Sequence, residues 1–348
     1  MTLTCVALGL DHRHIYGMTE KMAKAGVQCL GFWTEGRPET LAGYQKRFPE
    51  LPRFDHLQDA LECGADLALI SAIPVDRADL TVQAMRHGMD VMSDKPGCTN
   101  FEQLEAIKSA VQDTGRIWSV NFSERFETAA STRASELVEA GAIGTVVQTV
   151  GLGPHRLNRA TRPDWFFRRD CFGGILTDIA SHQIDQFLHY TGSKSAEITH
   201  AFTANYANPE APELQDFGEI NLRSAKGTGY IRVDWFTPDA LPNWGDGRLT
   251  ILGTEGYIEL RKYVDVGGRA GTDHLLLINS STCEKIDASD AGLPYFARLA
   301  HDIEYRTQTA MTQRHCFTVI DSKTMALCHG GLCPIFYIMR QARKIWQT

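Results

Sequence analysis

The stretch Thr4-Cys5-Val6-Ala7-Leu8-Gly9-Leu10-Asp11-His12-Arg13-His14-Ile15 sets the rhythm of the chain. A short apolar run stops at a glycine, and a helical pattern, Ile15–Ala25, begins within a turn's length and closes at Gly26. The same alternation continues downstream. Gln28–Trp33 reads as strand and Pro38–Phe48 as a helix opened by its proline. Leu67–Ser71 is a continuous apolar run that ends in Ala72-Ile73-Pro74, and Arg77–Arg86 is a helix closed by Gly88. Asp90–Ser93, Phe101–Thr114 and Ile117–Asn121 complete the series as strand, helix and strand. Strands separated by helices of this length form a parallel, doubly wound α/β sheet.

Beyond residue 122 the pattern changes. A helix at Ala129–Ala140 leads to Val146–Leu152, and a further helix follows Gly173-Gly174. Then come strand-like stretches at Ile198–Tyr206, Phe217–Leu222, Gly229–Phe236, Arg248–Leu252, Tyr257–Leu260 and Leu275–Ile278, separated by glycine-rich turns. This is the pattern of an α+β domain with a large, mostly antiparallel open sheet. The expected division is a Rossmann domain at 1–122 and a substrate-binding and oligomerisation domain at 123–348. A last amphipathic helix, Ser322–Lys344, broken near Gly330-Gly331 and Pro334, is expected to fold back on one of them.

Composition excludes several classes. The 348 residues carry a net charge of −7 with the two signs interspersed, so no basic stripe marks a nucleic-acid footprint. The nine cysteines are scattered without a C-x-x-C pair, as expected of reduced thiols in a cytoplasmic protein. The N-terminus has no basic segment ahead of its apolar run and reads as a strand rather than a signal peptide. No apolar run is long enough to span a bilayer.

The turn at Gly9 is where a doubly wound fold holds a dinucleotide pyrophosphate on backbone amides and a helix dipole. The usual three-glycine spacing is altered: Asp11 stands at the second glycine's place, where a carboxylate repels phosphate, and His12, Arg13 and His14 can offset it. At the end of the second strand, Glu35 suits a ribose diol and so NAD, whereas Arg37 suits the 2′-phosphate of NADP. Ser71, Ala72 and Pro74 close the third strand at the same sheet edge, and Asp94-Lys95-Pro96 and Asn121 close the fourth and fifth.

Gly173-Gly174-Ile175-Leu176-Thr177-Asp178-Ile179-Ala180-Ser181-His182 places Asp178 and His182 four residues apart, so on a helix they share one face. Asp178, His182 and Asp185 lack the cysteine or second histidine of a metal set, and no metal is expected. The altered glycine turn, Asp94-Lys95-Pro96 and the Asp-x-x-x-His helix together resemble the Gfo/Idh/MocA family over essentially the whole chain. The resemblance implies an NAD(P)-dependent oxidoreductase acting on a sugar, cyclitol or sugar acid. It places Lys95, Asp178 and His182 at catalytic positions. Histidine has the pKa for a base towards a hydroxyl, and lysine stabilises a developing alkoxide. Three departures stand out: the glycine turn departs most, Asp94 replaces the family's glutamate, and its histidine after the third-strand proline is absent, with Ala78 nearest.

The run Gly153–Arg169 is rich in arginine and aromatics, and reads as a substrate loop. His155, Arg156 and Arg162 serve as donors and Trp165 as a platform for a sugar ring, the arginines also suiting a carboxylate. The Asp234–Pro238 and Asn243–Gly247 stretches line the same cleft or join strands. The exposed face of the large sheet is expected to build a homodimer or homotetramer. Two rival readings remain: a lyase or glycosidase that retains NAD and uses transient oxidation, and a regulatory protein that binds a dinucleotide without turnover.

Overall fold

The structure, a computed structural model, describes residues 2–329, with side chains to residue 322. Two compact units emerge, each discontinuous in sequence. The first comprises residues 2–126, Thr161–Gly173 and Leu293–Ile320. The second comprises Glu127–Ala160, Gly174–Gly292 and the described residues from Asp321. Residue 122 follows the end of the parallel sheet at Asn121, while the compact units run differently.

The first unit is built on β1 (Thr4–Leu8), β2 (Gln28–Trp33), β3 (Leu67–Ile70), β4 (Asp90–Asp94) and β5 (Trp118–Asn121). All pair in parallel in the order β2-β1-β3-β4-β5. Helices α1 (His14–Lys24), α2 (Thr40–Arg47), α3 (Leu57–Leu61), α4 (Arg77–Arg86) and α5 (Phe101–Thr114) form the connections. Every residue of β3, β4 and β5 is buried, as a parallel sheet covered on both faces requires. The α5 boundaries are chemically explicit. Asn100 Oδ1 accepts the Gln103 amide at 2.9 Å, a cap that stabilises by about 1 kcal/mol. Gly115 ends the helix in the left-handed region.

Gly9 has φ +72°, and a Cβ there would lie 2.7 Å from the Cα of Ala72. The glycine therefore lets the end of β1 pass close to the residue after β3, besides making the turn.

Short helix α6 (Ser123–Phe126) ends this stretch, and α7 (Ala129–Glu139) opens the second unit. Strands β6 (Val146–Pro154), β7 (Glu197–Ala204), β8 (Phe217–Arg223), β9 (Thr228–Asp234), β10 (Arg248–Gly253), β11 (Gly256–Arg261), β12 (His274–Asn279) and β13 (Cys283–Ile286) form one sheet, ordered β13-β12-β11-β10-β6-β9-β8-β7. Only β6 and β9 pair in parallel; the other pairings are antiparallel. One face of β10–β12 packs Leu249, Ile251, Ile258, Leu260, Leu275 and Leu277 around Ala130 and Ala134 of α7. The opposite face of the sheet leaves Phe202 of β7, Leu252 of β10 and Tyr257 of β11 each about two-fifths exposed (41%, 40% and 37%).

After the four-residue helix α8 (Arg169–Phe172), the helix expected beyond the glycine pair is two: α9 (Ile175–Asp178) and α10 (Ala180–Thr191), broken at Ile179. A Cβ on Gly151 or Gly153 of β6 would come within 2.8 Å of the Gln183 side chain. These glycines let α10 lie close against the sheet.

Helices α3 and α11 (Pro294–Tyr305) and strand β13 went unanticipated. The last described helix is α12 (Gln313–His329), which begins ahead of the expected Ser322. The expected breaks near Gly330-Gly331 and Pro334 lie outside the described residues.

Candidate active site

In the first unit the turn after β1 is tied down by its own bonds. Gly9 N–H donates to the Trp33 carbonyl (2.8 Å), Leu10 N–H to Thr34 Oγ1 (3.2 Å) and His12 N–H to the Ser71 carbonyl (3.0 Å). Among the described residues, the amides of Arg13 and His14 at the head of α1 have no backbone acceptor. These are the donors a helix start offers to an anion. The Asp11 carboxyl is pushed up to about 6, chiefly by burial, with Arg77 pulling it down and Asp76 up.

Asp94 is the hub of this turn. Its carboxylate is fully buried, and both imidazoles reach it: His14 Nδ1 lies 2.8 Å from Oδ1 and His12 Nδ1 2.8 Å from Oδ2. Ser71 Oγ donates to Oδ2 (3.2 Å), and Arg77 Nη2, itself buried, stands 3.3 Å from the same oxygen. Burial would raise the Asp94 pKa, but His14, Arg77 and His12 outweigh it and hold the group well below the usual carboxylate range. His12 is driven down to about 3 by burial first and by His14, against the pull of Asp94. Its Nδ1 is enclosed and points off the line of a proper hydrogen bond, so the 2.8 Å approach to Asp94 is a close contact without a shared, aligned proton. Arg77 also donates from Nε to the Ala72 carbonyl (2.7 Å) and from Nη1 to the carbonyls of Asp94 and Lys95.

Lys95 and Asn121 are buried at the ends of their strands, as is Pro74 beside β3. Glu35 and Arg37 are exposed on the loop after β2. That loop is held by Arg53, whose Nη2 donates to the carbonyls of Thr34 (3.0 Å) and Gly36 (2.9 Å).

In the second unit, Asp178 is the last residue of α9 and His182 lies near the start of α10; both are buried. Because Ile179 interrupts the helix, their spacing is set by a junction in which His182 N–H bonds to the Ile179 carbonyl (3.1 Å), rather than by a regular helical face.

The run Gly153–Arg169 does not form one loop. His155 and Arg156 belong to the second unit, whereas Arg162 and Trp165 belong to the first. The His155 ring sits 4.6 Å from the Trp244 ring and 5.5 Å from Trp235, so this histidine does join the Asp234–Gly247 aromatics. Arg156 donates to the carbonyls of Pro238 (2.9 Å) and Leu241 (2.5 Å), and so clamps the loop that follows β9. Arg162 lies 4.4 Å above the Phe166 ring, and α8 packs on Pro74–Asp76.

Two family models match the chain: the oxidoreductase family NAD-binding Rossmann fold over residues 14–122, and the GFO/IDH/MocA C-terminal domain over 131–259. The chain belongs to the Gfo/Idh/MocA family of oxidoreductases. Its first unit holds the family's NAD(P)-binding domain, and the match begins just past the altered turn. An Erwinia carotovora atroseptica SCRI1043 chain, named only as an oxidoreductase, is 40% identical, with a TM-score of 0.91 over 94% of this chain and 98% of that one. The NAD-dependent scyllo-inositol 2-dehydrogenase of Bacillus subtilis is 25% identical over 73% of this chain and 72% of its own. Levoglucosan dehydrogenase, in complex with NADH and levoglucosan, shares the fold (TM-score 0.78, 17% identity, 95% and 98% coverage).

Within this Gfo/Idh/MocA chain, sequence reasoning missed Arg77 and Arg53. No spacing rule distinguishes a buried arginine at a helix start from a solvated one; only the carbonyls around it do. No helix among the described residues is long and apolar enough to cross a membrane.

Proposed function

We propose that the protein is an NAD(P)-dependent dehydrogenase or reductase acting on a secondary alcohol of a sugar, cyclitol or sugar acid. The observation that carries this reading is the Gfo/Idh/MocA fold with Lys95 buried at the end of β4 and His182 buried near the start of α10. The turn suits a dinucleotide in two respects, the close-packed Gly9 and the amides at the head of α1. Asp11 and His14 stand where glycine is usual. Gly9, His12, His14, Ser71, Ala72, Pro74, Asp94 and Asn121 would hold the cofactor, with Asp11 beside them. When bound, the nicotinamide supplies the hydride chemistry.

The chain's own groups handle the proton and the charge. His182 takes the hydroxyl proton at Nε2, its Nδ1 being enclosed by protein. Lys95 Nζ donates to the same oxygen and stabilises its growing negative charge. Asp178 orients the imidazole or binds a neighbouring hydroxyl. His155, with Trp244 beside it, serves the sugar, and Arg162 and Trp165 are assigned to the same substrate. Exposed Glu35 favours NAD and Arg37 admits NADP.

The unbridged cysteines fit a cytoplasmic setting. The apolar residues on the open sheet face fit a homodimer or homotetramer, which light scattering after gel filtration tests.

A fluorescence titration with NADH and NADPH, followed by a panel of polyols read at the nicotinamide absorbance, tests the main reading. Failure of both nucleotides to bind at millimolar concentration overturns it. His182→Ala is expected to lower turnover by about a thousandfold with cofactor affinity near wild type; undiminished turnover removes His182 from this role. The altered turn favours a second reading, a binder without turnover, which NADH binding with no activity across the panel would select.

A further inference from the structure

We propose that His12, His14 and Asp94 form a binding site for one divalent transition-metal ion of the zinc class, at the turn after β1. Two imidazole nitrogens and a carboxylate oxygen lie within 4.8 Å of one another. Two imidazoles, one carboxylate and an open position are a donor set that suits zinc.

Three observations favour an ion over a plain hydrogen-bonded cluster. First, Arg77 and Ser71 already serve Oδ2, and two imidazoles converge on the same carboxylate as well. Two imidazoles converging on one served carboxylate call for a further reason. Second, the enclosed Nδ1 of His12 has no aligned hydrogen-bond partner among the described residues, although it sits 2.8 Å from a carboxylate oxygen. Third, the shell and the entry path are present. Ser71 and Arg77 hold Oδ2, His14 Nδ1 meets Oδ1, and the His12 and His14 side chains are 24% and 34% exposed, which gives an ion a way in from solvent. The adjustment needed is small. Ligand bonds near 2.0–2.1 Å in tetrahedral geometry put donor atoms about 3.3 Å apart. The His14–Oδ1 contact must therefore open by about half an ångström, and His12 must turn from Oδ2 towards the same ion.

Arg77 and Asp94 cancel in charge, so a bound dication leaves the turn strongly positive. A phosphate oxygen is then the natural occupant of the open position. That coupling rests on the cofactor reading above; the metal site itself does not.

The test uses full-length protein stripped of metal with a chelator and titrated with Zn2+ against a fluorescent zinc indicator. Co2+ serves as a spectroscopic probe, and NADH binding is measured with and without Zn2+. One Zn2+ per chain is expected, with affinity falling more than about tenfold in His12→Ala and in His14→Gln. Exposed His56→Ala should leave it unchanged, and Co2+ should give intense tetrahedral absorption bands. Both histidines are partly exposed, so the variants are expected to keep the wild-type circular dichroism and melting point. Zinc uptake that is absent, or equal in wild type and both variants, overturns the site. Zinc binding without NADH binding in either state sinks the dehydrogenase reading and keeps the site; NADH binding without zinc uptake does the reverse.

Discussion

Asp11 stands where a Rossmann turn usually carries glycine, and it is the residue whose removal should help the protein bind its cofactor. A carboxylate beside a pyrophosphate costs Coulomb energy in a partly buried turn. Asp11→Asn is therefore expected to tighten NADH binding several-fold near neutral pH, measured by fluorescence titration; weaker binding would mean that Asp11 donates or accepts a bond the nucleotide needs. Gly9 behaves oppositely. Its φ of +72° and its approach to Ala72 leave no room for a methyl group, so Gly9→Ala is expected to cost about 2 kcal/mol or more in a denaturant melt. The buried pair at Arg77 is more demanding still. Arg77→Leu strands Asp94 and three carbonyls, and an expected loss of about 3–5 kcal/mol should lower the melting temperature sharply.

At the scale of elements, α11 closes on an aspartate that the sequence did not single out. Asp302 accepts from Thr307 Oγ1 (2.6 Å), from the Thr309 amide (2.7 Å) and hydroxyl (2.8 Å), and from the Ala310 amide (2.7 Å). Burial would raise its pKa, but these donors outweigh it and the net shift is downward. A depressed folded-state pKa means the stabilisation is present above the unfolded value of about 3.9 and is lost as pH falls through the folded value. The gap in melting temperature between wild type and Asp302→Asn should therefore be full near neutrality and shrink on acidification below about pH 4. A gap independent of pH would assign the effect to packing alone.

Elements were legible where one local rule governed them. Apolar runs gave β1 to β5, and the helix expected at Phe101–Thr114 is α5. The break at Ile179 was not legible, because Asp178 and His182 also fit an unbroken helix. Nor was the fate of Arg156, whose partners are carbonyls more than eighty residues away. The convergence of His12, His14 and Asp94 was half visible: the turn and the strand end were both marked, but that they share one carboxylate is tertiary information.

At the scale of the whole molecule, the first unit is completed by chain that arrives late. Tyr295 stacks on Phe126 with ring centroids 3.7 Å apart and bonds Ser119 at 2.6 Å. Arg306 meets the buried Asp90 at 2.6 Å, and the Gln313 carboxamide pairs with both the N–H and the carbonyl of Trp118. Arg306→Ala is expected to cost about 1–2 kcal/mol, discounted because the arginine is 42% exposed. A ribosome moving at roughly 5–20 residues per second needs some 10–40 s to travel from residue 126 to residue 320. Throughout that interval the edge strand β5 lacks the side chains that will cover Trp118 and satisfy Asp90. The nascent chain must carry this unfinished edge through most of its own synthesis.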